Sequence, residues 1–436
     1  MIELKGKYCK DAKIFTDIVE NEALQTVYSI LDHPAFKEAK IRCMPDIHQG
    51  SGIVIGFTSE LTNFVNPEHV GFDIGCQMTT NIFNTALEEK DFAKIEREIR
   101  KECPMGFEIR KIKNYTDKEF YNFLQTEMNK ARSAWPEMVE SVKVDEKYIT
   151  KLLQKIGMDE GLFYKSISSF GGGNHFCEYG ETPEGFGSWT IHCGSRNFGL
   201  KVCKYWTKVA KNVSKYIDMN SIIEDIKKKY SKDKSKINDA IKEAKRQVNE
   251  NNPTGYLSGD LMKGYLTDLF FAQAYAKFNH FIISREIEKA MKKINPKAKL
   301  IEQIKSVHNY VNPIDHIIRK GAITAYEGKK IIIPFNMRDG LAICMGKSNP
   351  DWNFSAPHGA GRIMSRGKAK ENISVEEFEK TMEGIYSTSV GKGTLDESPM
   401  AYKNMEDIVD KIGDTCEILY LIKPKINIKA SDSSEE

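Results

Sequence analysis

An α+β fold is what this sequence predicts: one complex mixed domain carrying a helical insertion. Three observations predict it. Short apolar runs broken by Pro and Gly, as in "AKIRCMPDIHQGSGIVIGF", mark strands and turns early in the chain and again after residue 300. Helical periodicity fills 86–157 and 200–295. No repeat or low-complexity linker separates these stretches, and Gly- and His-bearing segments are interleaved with the helices. Such interleaving favours a single unit over 1–436, fed by distant loops, rather than separate modules.

The first eighty residues read as strands and turns. Within 86–157, "LEEKDFAKIEREIRKEC" places acids early and bases late, as the helix dipole favours. Strands are expected to return near 163–180 and 188–194. Residues 200–295 form the helical, basic insertion, with a break at "NNPTG", Asn251 to Gly255. Inside it "GYLTDLFFAQAYAKFNHFIISREIEKAM" is apolar enough for a buried helix. From Ile301 to Met364 strands and loops resume, with "KKIIIPF" the best strand. Two short helices are expected around 374–386 and 404–412, then a last strand, "EILYLI". The polar, acidic end of the chain, 430–436, is expected to be disordered.

Composition narrows the class. The chain has 436 residues, 40% hydrophobic and 29% charged, enough for a sizeable core. A formal charge of +3 is too small to argue for nucleic acid by itself. The distribution says more: Lys201 to Glu250 holds fourteen Lys/Arg against seven Asp/Glu. That segment is either a path for a polyanion or a solvated helical hairpin. Nine cysteines at irregular spacing do not make a disulfide framework. The N-terminus lacks an apolar signal core, and no run of eighteen apolar residues appears. A cytoplasmic, reduced protein is expected.

The chemistry concentrates in a few short stretches. "VGFDIGCQM" sets Asp73 three residues before Cys76 on a glycine turn. "GGGNHFCE", "WTIHCGSRNFG" and "IKSVHNYVN" place His175, His192 and His308 at presumed strand ends. Each histidine alone is more often structural. Together with Asp73 and Cys76 they form a mixed donor set suited to zinc, manganese, iron or cobalt. Glycines in "GGGNH" and "HGAGR" let backbone N–H groups approach an anion, and Arg196, Arg362 and Arg366 offer forks that match phosphate. Neither glycine run has Walker order. His358 lacks a strand-end context, which leaves a nucleophilic role open to it.

These stretches resemble the RtcB family of RNA-splicing ligases. "MPDIHQGSG", "VGFDIGCQM", "GGGNHFCE", "IHCGSRNFG", "VHNYV", "RKGA" and "HGAGRIMSR" run in family order from Met44 to about Lys429. The resemblance implies an RtcB-type domain that joins RNA ends bearing a 2′,3′-cyclic phosphate or 3′-phosphate to 5′-hydroxyl ends. It implies GTP and two manganese ions, and archease as a possible partner. The implied metal ligands are Asp73, Cys76, His175, His192 and His308, with Cys76 bridging, and the implied guanylylated nucleophile is His358. Asn174, Glu178, Asn336, Met337, Gly359, Ala360, Gly361, Arg362 and Lys429 would hold the nucleotide.

The chain departs from the family pattern in places. "PFNMRDG" stands where small residues are usual, so Phe335 and Arg338 bring bulk and charge; Arg338 is expected to contact phosphate itself. Gln77 replaces a glycine, and Asn279-His280 stands for Asn-Arg. A divergent paralogue follows. Two other functions compete with ligation: a metal-dependent RNA-end phosphoesterase, and a non-catalytic RNA-end-binding protein.

Overall fold

A computed structural model describes residues 1–430 apart from 217, 218, 232 and 252. The fold is α+β, as the sequence predicts. Of the expected acidic tail only Ala430 lies within the described residues, and it is buried.

The described strands form four sheets. Six strands run in the order β1 (Ile2–Leu4), β2 (Asp11–Ile14), β3 (Lys40–His48), β4 (Ile55–Glu60), β10 (Ile317–Lys320), β9 (Asn309–Val311). A five-stranded antiparallel sheet runs β16 (Pro424–Ile428), β6 (Phe176–Glu181), β7 (Gly187–Cys193), β5 (Gln77–Phe83), β8 (Leu300–Val307). A third sheet joins β12 (Lys330–Asn336), β13 (Gly340–Gly346) and β15 (Cys416–Ile422); β11 (Ala322–Thr324) pairs with β14 (Ser355–Pro357).

Helices fill the intervals: α1 (Asn21–Leu31), α2 (Phe92–Glu102), α3 (Asp117–Ala134), α4 (Glu146–Ile156) and α5 (Glu160–Lys165). Then come α6 (Arg196–Lys211), α7 (Met219–Lys229), α8 (Ile237–Asn251), α9 (Gly259–Ile294), α10 (Arg366–Asn372), α11 (Val375–Thr381) and α12 (Met405–Val409). Their starts follow the side chains. Thr116 and Asp145 accept the amides of Glu119 and Tyr148, and Ser374 with Glu377 forms a capping box. The apolar helix foreseen from sequence is α9. It is buried along most of its length and packs on β5 and β7 of the five-stranded sheet.

Some expectations shift. Residues 160–165 are helical rather than the start of a strand, because the Asp159 carboxylate caps the amide of Leu162. Helix α10, capped by Ser365, and strand β16 were not foreseen. The break near 251–255 falls where α8 ends and α9 has yet to begin.

Register in the five-stranded sheet decides what meets at its end. Gln77 opposes both Cys193 and Val307, and Phe176 opposes His192. Because the pairs are antiparallel, the starts of β5 and β6 lie beside the ends of β7 and β8. Cys76, His175, His192 and His308 are therefore delivered to one edge from four places in the sequence.

Candidate active site

A cavity of about 860 Å³ opens at that edge, lined by Asp73, Cys76, His175, His192, His308 and His358 at one end and Glu178, Arg362, Glu397 and Lys429 at the other. It lies within the size range of small-molecule sites.

At the first end the donor atoms converge. Cys76 Sγ lies 3.5 Å from His175 Nε2 and 3.3 Å from His192 Nε2. His192 Nε2 lies 3.3 Å from His308 Nε2, and His175 Nε2 lies 3.0 Å from Asp73 Oδ2. Backbone carbonyls fix two of the rings. His175 Nδ1–H donates to Phe170 O (2.7 Å) and His192 Nδ1–H to Asn174 O (3.1 Å), which turns both Nε2 lone pairs inward. Asp73 is held by the amide of Ser195 (3.0 Å). Gly194 lies against the same carboxylate, where any side chain would collide with it.

This donor set fits a metal ion. Thiolate and imidazole ligands about 2.3 and 2.1 Å from one ion stand on the order of 3.5 Å apart, the spacing seen here. Burial and the neighbouring Asp73 push the Cys76 thiol well up, so a thiolate needs a cation to hold it. Burial, then the other imidazoles, pushes His192 far down; burial and the facing His358 do the same to His308. Both are neutral and able to ligate. Burial raises Asp73, but its contacts with His175, Cys76 and the Ser195 amide together outweigh this and leave its carboxyl below the usual range. His308 Nε2 faces the same cluster, 3.3 Å from His192 Nε2, and is free to serve as a donor there.

His358 sits between the two ends, its ring centroid 5.0 Å from that of His308. It follows β14 directly, so it too stands at a strand end. Its Nδ1–H donates to Asp46 Oδ2 (2.6 Å) and its amide to the same oxygen (3.2 Å). Asp46 is fully buried in β3. Sequence reasoning quoted "MPDIHQGSG" and passed over this aspartate; a carboxylate among apolar residues of a strand was the available signal. Gly361, at φ +75°, presses the "HGAG" loop onto the backbone of Asp46.

The far end is a network of buried charges. Glu397 meets Lys429 (3.2 Å) and Arg362 (3.2 Å), and Tyr402 donates to it (2.7 Å). Burial opposes the Glu397 charge, but Lys429 and Arg362 prevail and bring its pKa to about 2. Arg362 also stacks on Tyr402. Burial instead pushes Glu178 up to about 8, against the pull of its bond from Asn427 Nδ2 (2.8 Å) and of Lys429. Asn427 reaches Glu178 because β16 pairs with β6 in that register. Glu397, Tyr402 and Asn427 were missed in the sequence, being scattered over segments with no glycine or histidine signature.

The remaining expected residues fall into two groups. Asn174, Asn336, Met337, Gly359, Ala360, Gly361 and Arg366 line the cavity. The Asn336 side chain is spent on its own loop, accepting the amides of Arg338 and Asp339 and donating to Asp339. Arg338 does not line the cavity; it pairs with Asp339 (2.7 Å), so its expected phosphate contact is not made from this position. Phe335 lines the cavity too, and packs into the core cluster that holds Ile333 and Ala360. Arg196 is buried as well, donating to Ser169 Oγ and Gly106 O, and braces the "GGGN" loop from below instead of facing a phosphate. Asn279 and His280 are braces too, bonded to Ser168, Ser169, Gly194, Thr79 and Cys193.

Comparison with known proteins decides the family. Residues 28–430 match the family model described as tRNA-splicing ligase RtcB. The chain belongs to the RtcB family. It is similar to the RNA-splicing ligase RtcB of Escherichia coli K12, 27% identical over 94% of this chain and 95% of that protein. It is similar to the tRNA-splicing ligase RtcB of Methanococcus maripaludis, at 23% over 97% and 94%. The RNA-splicing ligase RtcB homolog 1 of Entamoeba histolytica is 24% identical over 89% and 80%. The RtcB match spans the residues at both ends of the cavity, from Asp73 to Lys429. No helix among the described residues is long and apolar enough to cross a membrane.

Proposed function

We propose that this chain is a cytoplasmic RNA ligase acting in RNA repair or tRNA splicing. It joins RNA ends bearing a 2′,3′-cyclic phosphate or 3′-phosphate to 5′-hydroxyl ends, with GTP as the source of a transferred GMP. The observation that carries this reading is His358, its Nδ1–H committed to Asp46 and its Nε2 left as a lone pair. Asp46 fixes the tautomer and stabilises the positive charge that grows on the ring as Nε2 bonds phosphorus. Attack on the α-phosphorus of GTP breaks its bond to the β-phosphate and releases pyrophosphate. The RNA 3′-phosphate then takes GMP from His358 to give RNA-3′-pp-G, and the 5′-hydroxyl displaces GMP.

Asp73, Cys76, His175, His192 and His308 would hold two manganese ions. Bound there, the metal supplies positive charge that offsets the repulsion between phosphates. Lys429 and Arg362 supply fixed charge at the other end, and Arg366 and Lys368 line the wall between them. Guanine presents adjacent N–H donors; a carboxyl oxygen of Glu178 and the buried Asn427 Oδ1, which has no hydrogen-bond partner, are acceptors matched to them. This favours GTP over ATP. The described residues of the basic segment Lys201–Glu250 contribute none of the cavity lining, and α7 and α8 pack on each other. We assign it to the RNA backbone outside the cavity.

The test is incubation with each nucleoside triphosphate and manganese, followed by intact-mass measurement. A GMP adduct is expected with GTP and is absent from His358→Ala. No adduct with any nucleotide, under full metal occupancy, overturns the ligase and promotes the phosphoesterase.

A further inference from the structure

We propose that His48 is the proton acceptor for the attacking RNA hydroxyl in the sealing step, aimed by the same aspartate that aims His358. The inference rests on the ligase reading of the cavity.

His48 closes β3 and lines the cavity together with His358. Its Nδ1–H donates to the backbone carbonyl of Asp46 (2.8 Å), while the Asp46 carboxylate takes the Nδ1–H of His358 (2.6 Å). One residue thus sets the tautomer of two imidazoles and leaves an Nε2 lone pair on each. Lys403 steadies the arrangement: its buried Nζ donates to Pro45 O (3.1 Å) and Ile47 O (3.0 Å), on either side of Asp46, and its amide donates to Gly361 O in the His358 loop (3.0 Å). His48 Nε2 has no protein partner among the described residues.

A neutral imidazole with Nδ1–H committed can only accept at Nε2. It therefore suits an O–H donor and not a phosphate oxygen. Of the groups brought together in RNA joining, the 5′-hydroxyl is the one that must lose a proton. In sealing, the 5′-oxygen bonds the RNA 3′-phosphorus and the bond from that phosphorus to the GMP oxygen breaks. GMP leaves as an anion and needs no proton, and the hydroxyl proton passes to His48 Nε2 and then to water.

Burial holds His48 neutral, bringing it to about 4; Asp46 pulls up, while His358 and Lys403 push down. Glu20 and Glu22 line the same cavity. Arrival of a polyanion raises an imidazole in such a place toward the working pH, so basicity appears when substrate is bound.

Two substitutions test this. His48→Asn keeps a donor to the Asp46 carbonyl but removes the base, and His48→Ala leaves room for added imidazole. Both are expected to form the GMP adduct within a few-fold of the unaltered protein and to convert RNA 3′-phosphate to RNA-3′-pp-G. Sealing of that species should slow by roughly 10²–10⁴-fold, so that it accumulates. Imidazole should restore part of the sealing rate to His48→Ala. Sealing within a few-fold of the unaltered protein in both variants overturns the role of His48 alone. Loss of the adduct in both variants also overturns it, because His48 would then serve guanylylation or the fold. Failure of the unaltered protein to form any adduct overturns the ligase reading, and this one with it.

Discussion

The two ends of the cavity handle charge in opposite ways. At the cluster end, a carboxylate, a thiol and three imidazoles bond to one another, to backbone carbonyls and to Ser195. At the end proposed for the nucleotide, Glu397 is already met by Lys429 and Arg362. The first arrangement gathers electron pairs and calls for a cation from outside. The second carries its own counter-charges, two cations around one carboxylate, so it offers positive charge to a ligand without an added ion. The difference teaches which end depends on metal and which on the fold itself.

Metal dependence gives the largest expected effect. Cys76→Ala should lose both metal occupancy and turnover, whereas His358→Ala should lose the GMP adduct with metal content unchanged. Elemental analysis beside intact mass separates them; full metal content in Cys76→Ala would place the site elsewhere. Divalent metal should also raise the melting temperature of the unaltered protein, by about 2.7 kcal/mol of stability at a hundredfold excess over Kd, and not that of Cys76→Ala.

Next comes the carboxylate behind His358. Asp46→Asn leaves the shape but can settle His358 in the wrong tautomer, so adduct formation should fall by roughly 10²–10⁴-fold. An unchanged single-turnover rate would remove Asp46 from the mechanism.

Smaller effects sharpen the nucleotide end. Glu397 sits at about 2 against 4.5 for the free side chain. Its charge stabilises the fold above pH 4.5, and that contribution is lost as pH falls toward 2. Glu178, pushed up to about 8, has the opposite sign: its contribution is present below pH 4.5 and is lost as pH rises toward 8, at up to about 1.4 kcal/mol per pH unit. Glu397→Gln should therefore cost about 3–5 kcal/mol at neutral pH, leaving Lys429 and Arg362 short of a partner, and less in acid. Glu178→Gln should gain on the parent as pH approaches 8. Denaturant melts across pH decide both; parallel curves would mean that these acids are not titrating as placed.

The smallest effect lies outside the cavity. Reversing Lys227, Lys228 and Lys229 to Glu should weaken RNA binding several-fold at low salt and flatten its salt dependence, with GMP transfer to protein unaffected. Unchanged RNA affinity would make α7 and α8 a solvated hairpin.

Donors carried on glycine turns or at strand ends were legible in the sequence: Asp73, Cys76, His175, His192 and His308 all meet at one sheet edge. Turn chemistry is local, so short motifs expose it. Asp46 was not legible as a partner of His358, because its role depends on β3 passing under a loop more than three hundred residues later. Arg196 misled because its partners are distant in the chain, and Arg338 misled although its partner is the next residue. An arginine reads as a phosphate fork until the structure shows it spent on Ser169 and Gly106, or on Asp339. Strand β16 escaped because five residues with a lysine among them carry too little periodicity. The tail residues 431–436 lie outside the described chain.

That same late strand has a consequence for how the protein comes into being. Asn427 and Lys429 enter the cavity from the far end of the matched segment, while His48 enters near its beginning. A nascent chain can gather Cys76, His175, His192 and His308 on the ribosome long before Lys429 has left the exit tunnel. Donors for a metal are thus assembled first and the nucleotide wall last, so no partly made chain carries both.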